Sequence, residues 1–348
     1  PEGTPVNAAV ERGASQPLRL AIVGAGPAGL ALALQVARTL PLAAVTLFDA
    51  RALDHDFSRD GRTLALSLGS IQMLQRLQVW PAAQAEPILR VHVSQAPPTL
   101  GAAAVVLTAA EQAVPLLGAV IGYGALVAAL QRAWLDAAAT EPQRLHTRFG
   151  TPVTALKDLA SGVEVDAGVA ETFDLAVVAE GGVFTEQERK ALSRDYGQTA
   201  WVGTVTLEGA TPGAAYERFT RHGPAALLPL PTGPDGAARA ALVWCVAAGD
   251  DLVSALDDAQ RIAVRNATFP REAGRIVAIT PLKAFALGLN AERTLVHGRR
   301  VRIGKAAQTL HPVAGQGLNL GLRDVFALAE ALRRQPDVDA ALRRVEWQ

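Results

Sequence analysis

The sequence predicts an α/β fold in which a doubly wound nucleotide-binding domain is interrupted by a smaller mixed β-sheet domain. Three observations point there. Residues 18–49 form a complete strand–glycine turn–helix–strand pattern. A later apolar run, Asp174–Ala179, ends in a second glycine turn at Glu180-Gly181-Gly182. Between that run and a final strand, glycine loop and helix at 301–324 lie strand-like stretches separated by turn clusters.

The first unit carries most of the weight. An apolar run, Leu18–Val23, leads into Gly24-Ala25-Gly26-Pro27-Ala28-Gly29, then a long Ala/Leu helix, then Val45–Phe48 and Asp49. A lone GxGxxG is weak evidence, but here strand, turn, helix and a downstream acid 20 residues past the last glycine stand in order, as a Rossmann-like dinucleotide site requires. Gly24 makes the tight turn, Gly26 lets the backbone approach a pyrophosphate, and Gly29 lets helix and strand pack closely. The helix N-terminus presents free N–H groups to phosphate. Asp49 is placed to accept hydrogen bonds from an adenosine ribose, which favours a free 2′-hydroxyl and hence FAD or NAD over NADP.

The last unit is VRIGKAAQTLHPVAGQGLNLGLRD at 301–324: a strand, a loop with Pro312, Gly315 and Gly317, then a helix with Leu318, Leu322, Val325, Ala329 and Leu332 at helical spacing. The positive end of that helix favours an anionic partner. The intervening stretches Val91–Val93, Ala200–Leu207, Ala226–Leu230 and Ala240–Ala247 read as strands of a mixed or antiparallel sheet. The predicted layout is a flexible tail over 1–17, a nucleotide domain from 18–92, 118–185 and 285–348, and an inserted substrate domain from 93–117 and 186–284.

Composition narrows the function classes. Of 348 residues 50% are hydrophobic and 19% charged, which excludes a disordered chain. Thirty-three basic against 33 acidic side chains leave no global field to draw nucleic acid or an anionic membrane. The single cysteine, Cys245, cannot close an internal disulfide, reads as a buried thiol and fits a reducing, cytoplasmic compartment. The charge-free stretch Ala113–Leu130 has the length of a membrane span, but Pro115, Gly118, Gly122 and Gly124 favour a strand over Leu116–Ile121 followed by a helix from Ala125. His55 between Asp54 and Asp56 reads as a solvated loop rather than a metal cluster. No metal site is expected, and no side chain stands out as a protein nucleophile.

These residues together resemble the class A flavoprotein aromatic monooxygenases, of para-hydroxybenzoate hydroxylase-like fold, and within them the ubiquinone-biosynthesis hydroxylases. The likeness runs from Leu18 to about Leu332. Its most specific part is GKAAQTLHPVAGQGLNLGLRDV at 304–325, similar to the family's second FAD motif and HPxxGQGxNLGxxD signature. Asp60–Ser67, Asp195–Ala200, Tyr216-Glu217-Arg218-Phe219, Ala226–Leu230 and Leu242-Val243-Trp244 resemble further family segments.

The resemblance implies FAD as cofactor, NAD(P)H and O2 as co-substrates, and a C4a-hydroperoxyflavin that hydroxylates an electron-rich ring, most simply a polyprenylated phenol in ubiquinone biosynthesis. Such a substrate implies an apolar channel and at most peripheral membrane contact, or contact with other ubiquinone-biosynthesis proteins. The implied cofactor-binding residues are Gly24, Gly26, Pro27, Ala28, Gly29, Asp49, Arg51, Arg62, Glu180, Gly181, Gly304, Lys305, Pro312, Gly315, Gln316, Gly317, Leu318 and Asn319. His311 reads as a loop-orienting residue, Gln198 as either a strand residue or part of the substrate lining. Trp201, Trp244, Phe219 and Phe285 read as core.

Two departures from the family pattern stand out. Lys305 replaces an acceptor of ribityl hydroxyls and can only donate, and Glu180 replaces the Asp of an Asp-Gly turn. The end at Val345-Glu346-Trp347-Gln348 reads as a truncation of the nucleotide domain. A hydroxylase of small soluble aromatics, or an accessory flavin-fold subunit binding quinone precursors, are the alternative readings.

Overall fold

The computed structural model describes residues 16–97, 104–179, 197–287, 295–303, 316–335 and 337–346. Four sheets organise them. The first is six-stranded, in the order β19 (Leu295–His297), β20 (Arg300–Ile303), β12 (Leu175–Ala179), β1 (Arg19–Val23), β2 (Ala44–Asp49) and β8 (Leu145–Phe149). All its pairings are parallel except β19 with β20. Its strands are apolar along both faces because both faces are covered, as parallel sheets require.

One face packs on helices α1 (Pro27–Thr39), α3 (Tyr123–Thr140) and α5 (Gln316–Arg334), through Leu20, Ile22, Leu47, Val177, Leu30 and Leu322. Helix α1 is buried over most of its length, which explains its run of Ala and Leu: small side chains let it lie close to β1. Helix α6 (Val338–Glu346) packs on α5 and closes this side. The other face, bearing Ala21, Val23, Phe48, Ala176 and Val178, is covered by a three-stranded antiparallel sheet of β9 (Ala155–Leu159), β10 (Gly162–Asp166) and β11 (Ala170–Phe173). The expected strand pattern did not include this sheet. Val163 and Val165 face inward and Glu164 and Asp166 outward, so only half of each strand is apolar and the run is short.

The second large sheet has the order β17 (Arg275–Ile279), β13 (Gln198–Glu208), β16 (Ala238–Ala247), β15 (Gly223–Leu230), β14 (Ala214–Thr220), β5 (Arg90–Gln95) and β6 (Ala104–Thr108), with β18 (Lys283–Leu287) also on β13. It is antiparallel apart from β14 with β5, so the sheet is mixed as expected. A small sheet of β3 (Thr63–Ser67), β7 (Gly118–Gly122) and β4 (Glu86–Ile88) lies against it. The charge-free stretch at 113–130 therefore divides into β7 and the start of α3. Among the described residues no helix is long and apolar enough to cross a membrane.

The two faces of the large sheet differ. One carries Leu207, Tyr216, Leu227, Leu242, Trp244 and Val246 and is packed by α4 (Asp258–Thr268), a helix started by a capping box between Asp257 and Gln260. The other carries Ala215, Leu228 and Ala241 against Ala65, Ile88 and Val120 of the small sheet, and beyond them Ala200, Ala226, Val243 and Cys245.

The core expectation holds for Trp244, 2% exposed. Trp201 is part-buried and donates its indole N–H to Asp251. For the two phenylalanines it fails: Phe219 is 38% and Phe285 42% exposed. Phe219 follows Ala215 and Glu217 in the strand alternation, which sets it on the face without α4, and no core forms over it.

Candidate active site

The glycine turn is built as its spacing demands. Gly24 has φ of +107°, which an L side chain rarely adopts, and donates its N–H to Phe48 O at 2.8 Å. A Cβ on Gly29 would stand 1.9 Å from Gly24 O and 3.3 Å from the Ala179 Cβ. Gly26 is the N-cap of α1, with no side chain to cap the helix, and no acid occupies the first turn. Pro27, Ala28 and Gly29 are buried. A buried, uncapped helix start leaves polar N–H groups that call for an external acceptor, and the positive end of the dipole favours an anion there.

Asp49, at the end of β2, accepts from Ala25 N at 2.7 Å and Arg51 N at 2.8 Å. It therefore holds the turn to the strand end, and a carboxylate with about four acceptor sites keeps capacity for a ribose hydroxyl. Arg51 donates to Ala25 O at 2.8 Å and Gln131 Oε1 at 3.2 Å. Its guanidinium lies 4.6 Å from the centre of Phe57 and 5.4 Å from that of Phe149, and its buried Nε, 3.9 Å from Asp49 Oδ1, has no hydrogen-bond partner among the described residues. Side-chain-free glycines, an uncapped helix end, an acid at the strand end and a guanidinium with one N–H not hydrogen-bonded among the described residues suit the pyrophosphate and adenosine ribose of FAD. Motif spacing does not point to Gln131 and Phe149, which reach Arg51 from segments distant in the chain, or to Phe57, which comes from the irregular loop after β2.

A second group of residues lies where the small sheet meets the large one. Arg62 forms an ion pair with Asp60 at 2.6 Å and sits 3.8 Å above the Tyr123 ring. The hydrogen bond from Arg62 holds the Asp60 carboxyl below its ordinary range, and Lys283 of β18 adds to the lowering. The Arg62 guanidinium is correspondingly pushed up. The edge of the large sheet thus faces the loop that carries Arg62. Asn319, on the first turn of α5, accepts from Ser67 N at 3.0 Å and the Ser70 hydroxyl at 2.6 Å, and donates to Ala65 O at 3.3 Å. Its amide pins α5 to the junction of β3 and α2 (Leu68–Arg76). Gly317 is buried and Leu318 is 4% exposed, in the core. Glu180, Gly181, Gly304, Lys305, His311, Pro312 and Gly315 lie outside the described residues, as does the Gln316 side chain.

Cys245 is buried, and burial together with the Glu217 carboxylate pushes its thiol up to about 12, so it is not a nucleophile. Asp54, His55 and Asp56 are exposed, with Asp56 engaged by Ser58. No group among the described residues could hold a metal ion.

Residues 229–336 match the family model described as FAD binding domain. The chain is 32% identical over 329 residues to the 3-demethoxyubiquinol 3-hydroxylase of Escherichia coli, covering 91% of this chain and 80% of that protein. It is 32% identical over 286 residues to the ubiquinone hydroxylase UbiL of Rhodospirillum rubrum, covering 78% and 62%. Among solved structures, Klebsiella pneumoniae HpxO complexed with FAD and uric acid has a TM-score of 0.67 at 17% identity, over 94% of this chain and 83% of that one. PqsL, a probable FAD-dependent monooxygenase from Pseudomonas aeruginosa, gives 0.67 at 17%, over 94% and 92%; at these identities both establish the fold alone. Joined to a glycine turn complete in every part, the relationship along four-fifths of a named hydroxylase decides the family: the chain belongs to the FAD-dependent ubiquinone-biosynthesis hydroxylases, a branch of the class A flavoprotein aromatic monooxygenases.

Proposed function

We propose that this chain hydroxylates the aromatic ring of a polyprenylated phenol, with NAD(P)H and O2 as co-substrates. The observation that carries the reading is the 32% identity to a 3-demethoxyubiquinol 3-hydroxylase on a chain whose nucleotide turn has the geometry FAD needs. FAD, when bound, supplies the oxygen-activating chemistry that no protein side chain here can supply.

The chain's own residues bind, orient and shield. Gly26, Ala28 and Gly29 offer the pyrophosphate backbone N–H groups, Gly24 and Pro27 shape the turn and the helix start that present them, and Asp49 and Arg51 hold the adenosine end. Arg62, Glu180, Gly181, Gly304, Lys305, Pro312, Gly315, Gln316, Gly317, Leu318 and Asn319 hold the flavin end. Asp60 and Tyr123 fix the Arg62 guanidinium, and Asn319 fixes the angle at which α5 meets the site. The domain of residues 18–92, 118–185 and 285–348 carries the cofactor, and that of 93–117 and 186–284 the substrate. The small apolar residues on the inner face of the large sheet exclude water, which a reactive intermediate needs. A single cysteine fits a cytoplasmic location, and an isoprenoid substrate calls for peripheral contact with a membrane or with other ubiquinone-biosynthesis proteins.

The test is NAD(P)H oxidation by FAD-loaded protein with and without short-chain prenylphenols. Stimulation by the prenylphenol supports the reading. Equal stimulation by unprenylated phenols, or none by any phenol, overturns the substrate class.

A further inference from the structure

Among the described residues, the middle of the large sheet's inner face holds one acidic side chain, Glu217; Glu208, at the far end of β13, pairs with Arg275. Strand alternation puts Ala215, Glu217 and Phe219 on one side of β14 and Tyr216 and Arg218 on the other. Ala215 packs against the small sheet and Tyr216 lies in the core under α4, so Glu217 faces the side on which Arg62 and the nucleotide domain lie. Across the sheet its register neighbours are Val93 and Ala226, then Val243, Val202 and finally Lys283. Of the other positions on that face, Ala215, Leu228, Ala241, Phe219, Cys245 and Ala200 carry no charge, and the cation Arg239 stands four residues along β16 from Val243, at its far end.

Two properties make Glu217 unusual. It is only part-exposed, and no described residue hydrogen bonds its carboxyl. Burial pushes the carboxyl above its ordinary range, with no cation to offset it. The nearest cation along its row is Lys283, four strand spacings away, roughly 19 Å at about 4.8 Å per strand, and the charge of that lysine is felt by Asp60. Arg218, the next residue in the chain, points to the opposite face. A half-buried carboxyl without a partner costs stability, and the face around it is apolar.

Resting on the substrate reading above, we propose that Glu217 is the specificity-determining polar group of the ring site: it accepts a hydrogen bond from the hydroxyl of a neutral phenol and rejects rings that bear a carboxylate. The discrimination follows from charge. A phenol O–H satisfies the carboxyl without adding charge. A ring carboxylate brought beside Glu217 leaves two like charges at close range, or forces one of them to take up a proton. Among the described residues, the apolar row beyond Glu217 gives such an anion no cation before Lys283.

The experiment compares two probes, 2-geranylphenol and 3-geranyl-4-hydroxybenzoate, whose isoprenoid chains match and of which only the second carries a carboxylate. Binding to the FAD-loaded full chain is read from perturbation of the flavin spectrum. The wild type is expected to prefer the neutral phenol by about tenfold or more. Glu217→Gln, which keeps shape and acceptor but removes charge, is expected to narrow that preference to within about threefold, and Glu217→Arg to reverse it. A general loss of packing moves both affinities together and leaves their ratio unchanged, so an unchanged ratio in both variants overturns the proposal. If Glu217→Arg fails to load FAD, the Gln variant and Glu217→Ser carry the same reading. A wild type that loads FAD and binds neither probe overturns the prenylphenol reading and the proposal with it. A wild type that binds both equally overturns the role of Glu217 alone.

Discussion

The glycine turn between β1 and α1 and the large mixed sheet differ in what fixes their residues. In the turn the constraint is backbone geometry: Gly24 O would lie 1.9 Å from any Cβ at position 29, and Ala25 N sits 2.7 Å from the Asp49 carboxylate. Nearly every residue there has one acceptable identity. In the sheet the constraint is which face a side chain takes. The α4 face is filled with Leu207, Leu227, Leu242 and Trp244, while the inner face is lined with Ala200, Ala226, Ala241 and Val243. Large residues build the core on the α4 side, and the centre of the other side is lined mostly by small ones. Tight positions tolerate no change, whereas sheet positions tolerate changes that respect volume and face.

That contrast can be broken in four places, taken from the largest expected effect. Trp244→Ala on the packed face should cost about 3 to 5 kcal/mol, read as a drop in the denaturation midpoint, because it empties the centre of the core under α4. Gly29→Ala adds one methyl group, yet should cost about 3 kcal/mol and abolish FAD retention, since the Gly24 backbone on one side and the Ala179 side chain on the other must give way. Flavin content after gel filtration checks it; a variant that keeps its flavin would show the turn to be looser than drawn. Asp49→Ala removes two backbone contacts to a charged acceptor and should cost about 2 to 3 kcal/mol. Asp49→Asn, with one carbonyl oxygen, should recover part of it.

The smallest effect concerns Arg265, a cation inside the packed face. It is 4% exposed, stacks 4.0 Å from the centre of Trp244, and leaves Nε and Nη1 without partners. Burial lowers its guanidinium to about 10. A base whose folded value lies below its unfolded one costs stability while charged. That cost is full below about pH 10 and fades as pH rises from there toward the unfolded value. Arg265→Met should therefore be neutral or stabilising by about 1 kcal/mol in urea denaturation at neutral pH. A large loss would mean that the arginine has a partner in solution.

The same contrast explains what was legible in the sequence. The glycine turn was readable because each glycine and Asp49 answers a local backbone requirement at fixed spacing. The long strands β13, β15 and β16 were readable as apolar runs, and their ends differ by only a few residues from those expected. The sheet of β9 to β11 was not readable, because half its positions face water and its Gly and Asp residues look like loop. Nor were the contacts of Arg51 with Gln131 and Phe149, which join segments separated by many residues, or with Phe57 in the irregular loop that follows it. Asn319 was read as a cofactor residue from its motif, and its side chain proves to be engaged with Ser67, Ser70 and Ala65, a contact that motif spacing does not encode. Phe219 and Phe285 were misplaced because hydrophobicity alone does not say which face of a strand has a partner.

The central claim is that the glycine turn holds a flavin against a slim apolar face where a neutral prenylated phenol is hydroxylated. It is tested most directly by running FAD-loaded protein with NADH or NADPH, 2-geranylphenol and isotopically heavy dioxygen, and weighing the organic product. The account predicts a ring-hydroxylated product whose new oxygen carries the label. Reduced nicotinamide consumed with all of the oxygen recovered as hydrogen peroxide, for this and every other prenylphenol offered, would contradict it.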